Sequence, residues 1–323
     1  MPHRSHTELE ASKRWFRQAE FGLFVHWGLY AVPAGVWLAK PIPWLGEWIM
    51  HTARIPVREY EQIAARFDPV GFDAKAWVAM AEEAGMRYLV FTTKHHDGFA
   101  MFNSMADPFN IVRKTPFARD PVYELAEACR DSSVRLCLYY SHVQDWHEAH
   151  AGTGPRDSNY GNTWDFPKGT PQGFDEYLER KVKPQITELL TQYGPIAMLW
   201  FDNPLPSLTR THAESLVSLV RALQPGCLIS SRIGHGLGDI RGFGDSELPA
   251  AEVSCPAEAC VTMNDTWGFK HDGGKWKSPD ELLVIRRLAI GRGCNVLLNV
   301  GPMPDGCIPP EAVERLHSLR SSR

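Results

Sequence analysis

A closed barrel of alternating strands and helices is the fold class this sequence predicts, and two features carry the expectation. Short apolar runs recur along the chain, each ending in a residue able to do chemistry, and most segments between them place apolar residues at helical spacing. Runs of this kind, rich in Val, Leu, Ile and aromatics and bounded by Gly, Pro or charge, read as buried strands of a parallel sheet. In a barrel of such strands every C-terminal end points to one rim, so groups distant in sequence converge there.

Taken in order, FGLFVHWG stops at His26, YLVFTTKHH at His95 and His96, RLCLYYS at Tyr140, AMLWFD at Asp202, CLISSR at Arg232 and NVLLN at Asn299. Between them, residues 72–85 place Trp77, Met80, Ala81 and Ala84 on one helical face and end in Gly85, a favourable terminator. Residues 121–131 carry Val122, Leu125, Ala126 and Cys129 on one stripe behind Pro121, whose missing N–H costs nothing at a helix start. Further helices are expected over 173–193, 208–223, 279–290 and 310–319. No regular helix is expected between 26 and 72, where Trp37, Trp44 and Trp48 alternate with Pro33, Pro41 and Pro43. A long aromatic connection of that kind suits a binding wall.

Composition narrows the function. The 323 residues, 44% hydrophobic, suffice for one large barrel, and no Ser- or Gly-rich hinge divides them. The net charge of −4 is spread over both signs, so neither a nucleic-acid partner nor a membrane is expected, and no apolar stretch approaches spanning length. The start, MPHRSHTELEASKRW, lacks the apolar core of a secretory signal, which favours a cytoplasmic location. Seven cysteines contain no CxxC pair and read as small buried hydrophobes.

The predicted rim gathers groups suited to a sugar. Asp202 leaves a buried aromatic strand, where burial would raise its pKa unless a cation compensates, and Arg232 at the next strand end can do so. An isolated Asp there would fit a helix cap or a structural ion pair; the neighbouring strand ends favour a nucleophile. His95 and His96 invite a metal reading, but adjacent strand residues point to opposite faces, and His26 lacks a second histidine two positions on. Hydrogen bonding to hydroxyls suits all three better. Trp27, Trp48, Trp146, Trp200 and Trp267 fall at or just beyond strand ends, where indole faces can stack on pyranose rings. Retaining hydrolysis needs a second, protonated carboxyl about 5 Å from the nucleophile. Glu258, at the end of the β-like run VSCPAEA, is the first candidate; Glu47, between tryptophans, is the second; Glu252 is the third.

RWFRQAEFGLFVHWGLYAVP, EWIMH, YLVFTTKHHDGFAMFNS, LYYSHVQDW, LWFDN, NDTWGF and NVLLNVGPMPDG together resemble the catalytic domain of α-L-fucosidases of glycoside hydrolase family 29, over nearly the whole chain. The resemblance implies a distorted (β/α)8 barrel, one catalytic domain over residues 1–323 without the C-terminal β-sandwich many relatives carry. It implies retaining exo-hydrolysis of terminal α-L-fucosides on oligosaccharides or glycoconjugates through a glycosyl-aspartate intermediate, without metal or organic cofactor. On that basis Asp202 is the nucleophile, with Glu258 the first candidate for the acid/base and Glu47 still open as the alternative. Fucose hydroxyls would meet His26, Glu47, Trp48, His95, His96, Tyr140 and Arg232, and Trp200, Trp267 and Phe269 would receive the C6 methyl. Two local departures stand out: Asn203 replaces the Gly usual after the nucleophile, and PAEAC lacks the Trp often found before the acid/base.

Two rival readings stay open. A non-catalytic sugar-binding barrel would keep affinity without turnover, and a metal-dependent barrel hydrolase would lose activity to a chelator. The oligomeric state, a homo-oligomer included, is not fixed by the sequence.

Overall fold

The structure, a computed structural model, describes residues 2–152, 160–167 and 173–320. Eight parallel strands form one sheet: β1 (Phe21–Val25), β2 (Tyr88–Lys94), β3 (Arg135–Ser141), β4 (Met198–Asp202), β5 (Leu228–Ile229), β6 (Arg241–Gly242), β7 (Ala257–Thr262) and β8 (Asn295–Val300). Their spatial order is β5-β4-β3-β2-β1-β8-β7-β6. One parallel bridge, Ser230 with Ile240, joins the two edges, backed by Ser231 N–H to the Ile240 carbonyl at 2.9 Å. The ring therefore closes as a (β/α)8 barrel, pinched where β5 and β6 are only two residues long.

The expected helices form where the sequence provides starts and stops. These are α2 (Ala74–Glu83), α3 (Pro121–Arg130), α4 (Lys183–Gln192), α5 (Arg210–Leu223), α6 (Pro279–Gly291) and α7 (Pro310–Arg320), numbered after an N-terminal α1 described below. Asp73 and Asp120 cap α2 and α3 by accepting from Ala76 and Tyr123 N–H, and Ser278 with Glu281 makes a capping box on α6. The helix expected over 173–193 begins with a turn at Phe174–Tyr177 and a π turn at Leu178–Val182 before α4. The π turn lies just ahead of Pro184, whose ring and missing N–H would disrupt a regular α-helix there. No α-helix separates β5 from β6 or β6 from β7, only a 3-10 turn at Ser231–Ile233.

Two segments differ from expectation. Between His26 and Phe72 lie short turns, Ile49–Thr52, Val57–Tyr60 and a 3-10 stretch at Glu61–Arg66, beside a two-stranded ribbon of Val36–Trp37 with Lys40–Pro41. The N-terminus, given no element by the sequence reading, forms α1 (Pro2–Ala19). Its Phe16 and Ala19 are buried with Phe24, Tyr88, Val90, Cys137, Tyr139, Met198 and Trp200 in the barrel interior, so α1 closes the lower mouth.

The two faces of each strand serve two cores. The inward set fills the barrel, while the outward set, including Leu23, Leu89, Leu138, Phe201 and Leu298, packs under the helices. Gly22 pairs with Tyr88, and a Cβ at Gly22 would lie 2.4 to 2.7 Å from the Tyr88 ring. Glycine at 22 thus leaves room for a tyrosine ring in the lower barrel. Gly22→Ala should destabilise the protein by about 1–3 kcal/mol through overpacking, measurable as a lower urea midpoint at unchanged slope.

Candidate active site

The strand ends expected to converge do so around one cavity of about 260 Å³, lined by Phe24, His26, Trp44, Leu45, Glu47, Trp48, His95, His96, Tyr160, Trp200, Asp202, Asn203, Arg232, Asp245, Cys260 and Trp267. At its centre Arg232 spans two carboxylates. Its Nη1 donates to Asp202 Oδ1 at 2.8 Å and its Nη2 to Asp245 Oδ1 at 2.5 Å. The guanidinium lies over the Trp200 ring at 4.9 Å from the centroid, a cation–π contact that holds its plane.

Asp202 is buried at the end of β4. Burial acts to raise its pKa, but the charge of Arg232 and hydrogen bonds from Arg232 and Tyr139 outweigh it, so the carboxyl is held below its usual value. Tyr139 Oη donates to Asp202 Oδ2 at 2.9 Å, and Asn203 N–H donates to Oδ1 at 2.9 Å. Asn203 itself has φ 50°, the left-handed region that glycine enters most cheaply and asparagine next. The side chain that takes glycine's place donates from Nδ2 to Gln144 Oε1 at 2.8 Å, across the cavity wall.

The three histidines are buried and neutral. Burial pushes His26 down to about 4 and His96 to about 3, and lowers His95 well below the usual value. Ser141 Oγ spends its proton on the Gln144 carbonyl at 2.7 Å, so the 2.7 Å contact between His96 Nδ1 and Ser141 Oγ makes Nδ1 the donor. His96 Nε2 is left as a lone pair, 3.5 Å from Asp202 Oδ2. His26 Nδ1 pairs with Asn299 Oδ1 at 2.7 Å, whose Nδ2 donates to the Trp267 carbonyl at 2.7 Å. Nδ1 of His95 is buried with no partner among the described residues. Such a wall accepts hydrogen bonds from hydroxyl groups without presenting a charge. His95 and His96 both reach the cavity because they lie beyond the last residue of β2, where strand alternation no longer holds. Among the described residues, no three His, Cys, Asp or Glu side chains gather in a set suited to a metal ion.

Glu47 lies in the 3-10 turn Gly46–Trp48, accepts from Gly268 N–H at 2.7 Å and is pushed up to about 7 by burial. The expected contacts His26, Glu47, Trp48, His95, His96, Trp200, Arg232 and Trp267 thus all line the cavity with Asp202.

Three expected site residues do not. Tyr140 turns outward, donating from Oη to Gln185 Oε1 at 2.7 Å under the Lys94 ammonium. The register pairs Tyr139 with Trp200 and Tyr140 with Phe201, so it is Tyr139 that shares the inner face with Asp202. Phe269 lines a separate small cavity behind Trp267, with Trp276 and Pro309. Glu258, expected as the proton donor, is sealed inside the barrel at 3% exposure, accepting from Tyr88 Oη at 2.6 Å and from Trp200 Nε1 at 2.8 Å. The run VSCPAEA is not a strand ending at Glu258; β7 starts at Ala257 and runs to Thr262, so Glu258 faces inward near its lower end. Glu252 is exposed and outside the cavity. Of the remaining strand-end tryptophans, Trp27 packs against Phe67, Phe72 and Trp77, and Trp146 stands behind Trp48 at 5.1 Å. Unforeseen were Asp245, Tyr139 and Tyr160, whereas Trp44 belongs to the aromatic connection expected to form a binding wall.

Burial pushes Glu258 up from 4.5 to about 7 against the hydrogen bonds of Tyr88 and Trp200, and Glu47 similarly. Between those values the folded protein holds protons the unfolded chain has lost, so the contribution of these two groups to stability is full below about pH 4.5 and is lost as pH rises through about 7. Glu258→Gln should flatten that decline, read as a smaller difference in Tm between about pH 5 and about pH 8. An undiminished slope would show that Glu258 does not titrate there.

Known proteins resemble the chain throughout. The family model described as Alpha-L-fucosidase matches residues 2–321. The solved structure of alpha-L-fucosidase AlfC from Lactobacillus casei, in complex with alpha-L-fucose product, is 41% identical, with a TM-score of 0.91 covering 96% of this chain and 97% of that one. A mutant of AlfC was solved in complex with Fuca(1,6)GlcNAc, at 40% identity and a TM-score of 0.89 over 95% of this chain and 97% of that one. Tissue alpha-L-fucosidase of Rattus norvegicus is 28% identical over 94% of this chain, which spans 66%, just under two thirds, of that protein's length.

Proposed function

Since the chain belongs to the alpha-L-fucosidase family, we propose that its cavity holds a terminal α-L-fucosyl residue of an oligosaccharide or glycoconjugate and hydrolyses the bond to it with retention. The observation that carries this reading is the pair of carboxylates, Asp202 and Asp245, bound to one guanidinium in a histidine- and tryptophan-lined cavity. Asp202, rigid on its strand and held ionised, attacks the anomeric carbon while the bond from that carbon to the leaving oxygen breaks. The leaving oxygen takes its proton from Asp245, giving a fucosyl ester on Asp202 and a free alcohol. Water then attacks the same carbon, gives its proton to Asp245, and the ester bond breaks.

Asp245 is preferred to Glu258 and Glu47 for the proton because of where it stands. Its side chain is 56% exposed, in the loop after β6, whereas Glu47 is 1% exposed, in the wall. An exo-acting enzyme encloses the terminal sugar, so the departing oxygen faces the open side of the cavity. Geometry supports the same cycle: Arg232 holds both carboxylates at one centre, so the group that gives the first proton stands beside the group that attacks. Glu47 and the neutral histidines would then read the fucose hydroxyls, and Phe24, Trp200 and Trp267 would supply the apolar surface for its methyl group.

Azide separates the roles. Asp202→Ala should lose nearly all turnover of an aryl α-L-fucoside and yield only the inverted, β-configured fucosyl azide. Asp245→Ala should accumulate the ester with a good leaving group and yield the retained α-azide. Glu258→Ala or Glu47→Ala giving the α-azide instead would reassign the acid/base. Absence of any fucosidase turnover, with fucose still bound, would favour a non-catalytic sugar-binding barrel.

A further inference from the structure

We propose that Trp44 and Tyr160 form a second sugar position at the cavity mouth, which takes the pyranose ring to which the fucosyl residue is linked. The proposal rests on the fucosidase reading and extends it from the fucosyl residue to its leaving group.

Trp44 is 57% exposed and Tyr160 44% exposed, yet both line the cavity that contains Asp202. Their rings continue an aromatic wall that begins inside. His96 meets Trp48 at 5.4 Å between centroids, and Trp48, itself buried, meets Trp44 at 4.9 Å and Tyr160 at 6.1 Å. Trp48 thus supports two aromatic rings that each keep much of their surface open. An indole left in water forgoes the burial that the other aromatics of this site obtain, and a pyranose seated on it would restore that burial.

The backbone holds Trp44 in place at a cost. Its φ is 72°, a region a bulky side chain rarely enters, and Ala34, Leu38 and Ala39 in the same connection also have positive φ. Lys270 secures this conformation from the loop after β7, donating from Nζ to the Trp44 carbonyl at 2.7 Å and to the Ile42 carbonyl at 3.2 Å. The stem of Lys270 occupies the space beside Gly35 and Gly46, where an added Cβ would come within 2.6 and 2.9 Å of it. Gly46 N–H donates to Thr266 Oγ1 at 2.9 Å, and His271 N–H to the Ala34 carbonyl at 3.1 Å. Two barrel loops are therefore locked together so that one tryptophan faces outward beside the cavity.

The ligand chemistry follows from what surrounds these rings. Stacking faces at Trp44 and Tyr160 stand with Asn203 and Asp245 around one opening, apolar surface beside amide and carboxylate groups. A pyranose offers the matching combination of an apolar face and equatorial hydroxyls or an amide substituent. A flat hydrophobic leaving group would use only half of it.

The test compares two substrates across variants. Fuca(1,6)GlcNAc carries a sugar leaving group, whereas α-L-fucosyl fluoride has a single atom in that place. Trp44→Ala and Tyr160→Ala should each lower the ratio of kcat/KM for the disaccharide to kcat/KM for the fluoride about tenfold, chiefly through the KM of the disaccharide. Trp44→Phe should recover most of the loss. Equal losses on both substrates, or an unchanged disaccharide rate, would overturn the proposal. Tyr160 lies outside the strained connection, so its variant tests the position even if Trp44→Ala disturbs the fold. Failure of the unsubstituted protein to turn over either substrate would instead overturn the fucosidase reading.

Discussion

The contact between Arg232 and Asp202 is the interaction on which the rest of the site depends. A carboxylate at the end of a buried aromatic strand would take up a proton and lose its nucleophilicity without a cation at hydrogen-bond distance, and the guanidinium 2.8 Å away supplies one. Arg232 has to come from β5, a strand of two residues, followed by a 3-10 turn and by β6, equally short. The pinched part of the barrel and the charged centre of the site are thus the same feature. Short strands let the chain turn back early, so that Arg232 and Asp245 approach Asp202 from one side.

Beneath the ion pair the barrel interior acts as a foundation. Trp200 is held by its indole N–H on Glu258, stacks on Tyr139 at 5.5 Å and 18°, and carries the Arg232 guanidinium 4.9 Å from its ring centroid. Tyr139 reaches Asp202 in turn. Glu258 is therefore tied to the nucleophile through rings whose positions it fixes, and α1 closes the space below. Each link is a hydrogen bond or ring contact in a buried interior, where a lost partner is costly to replace.

Much of this was legible in the sequence, for physical reasons that differ by residue. The longer strands show as unbroken apolar runs and their helices by periodicity, so His26, His95, His96 and Asp202 could be placed at the rim from the sequence. β5 was legible as the run CLISSR that ends in Arg232, but the two-residue β6 has no apolar run to read, and Asp245, in the polar turn GFGDSELP, follows none. Tyr139 and Tyr140 are chemically identical, so only the register with Trp200 and Phe201 chooses between them. The position of Glu258 follows from which end of its strand it occupies: a carboxylate at the start of β7 faces the lower interior, whereas one at the end would face the cavity. α1 escaped notice because few apolar residues mark it, and its role rests on Phe16 and Ala19 entering a barrel that other segments build.

The central claim is that Asp202 becomes covalently bonded to the sugar. Incubation with 2-deoxy-2-fluoro-L-fucosyl fluoride slows both displacements through the electron-withdrawing fluorine at C2, while the good leaving group keeps the first step faster than the second. Mass spectrometry of a protease digest should then show one fluorofucosyl adduct, on the peptide that contains Asp202. An adduct on any other carboxylate, or inhibition with no adduct formed, would contradict the account.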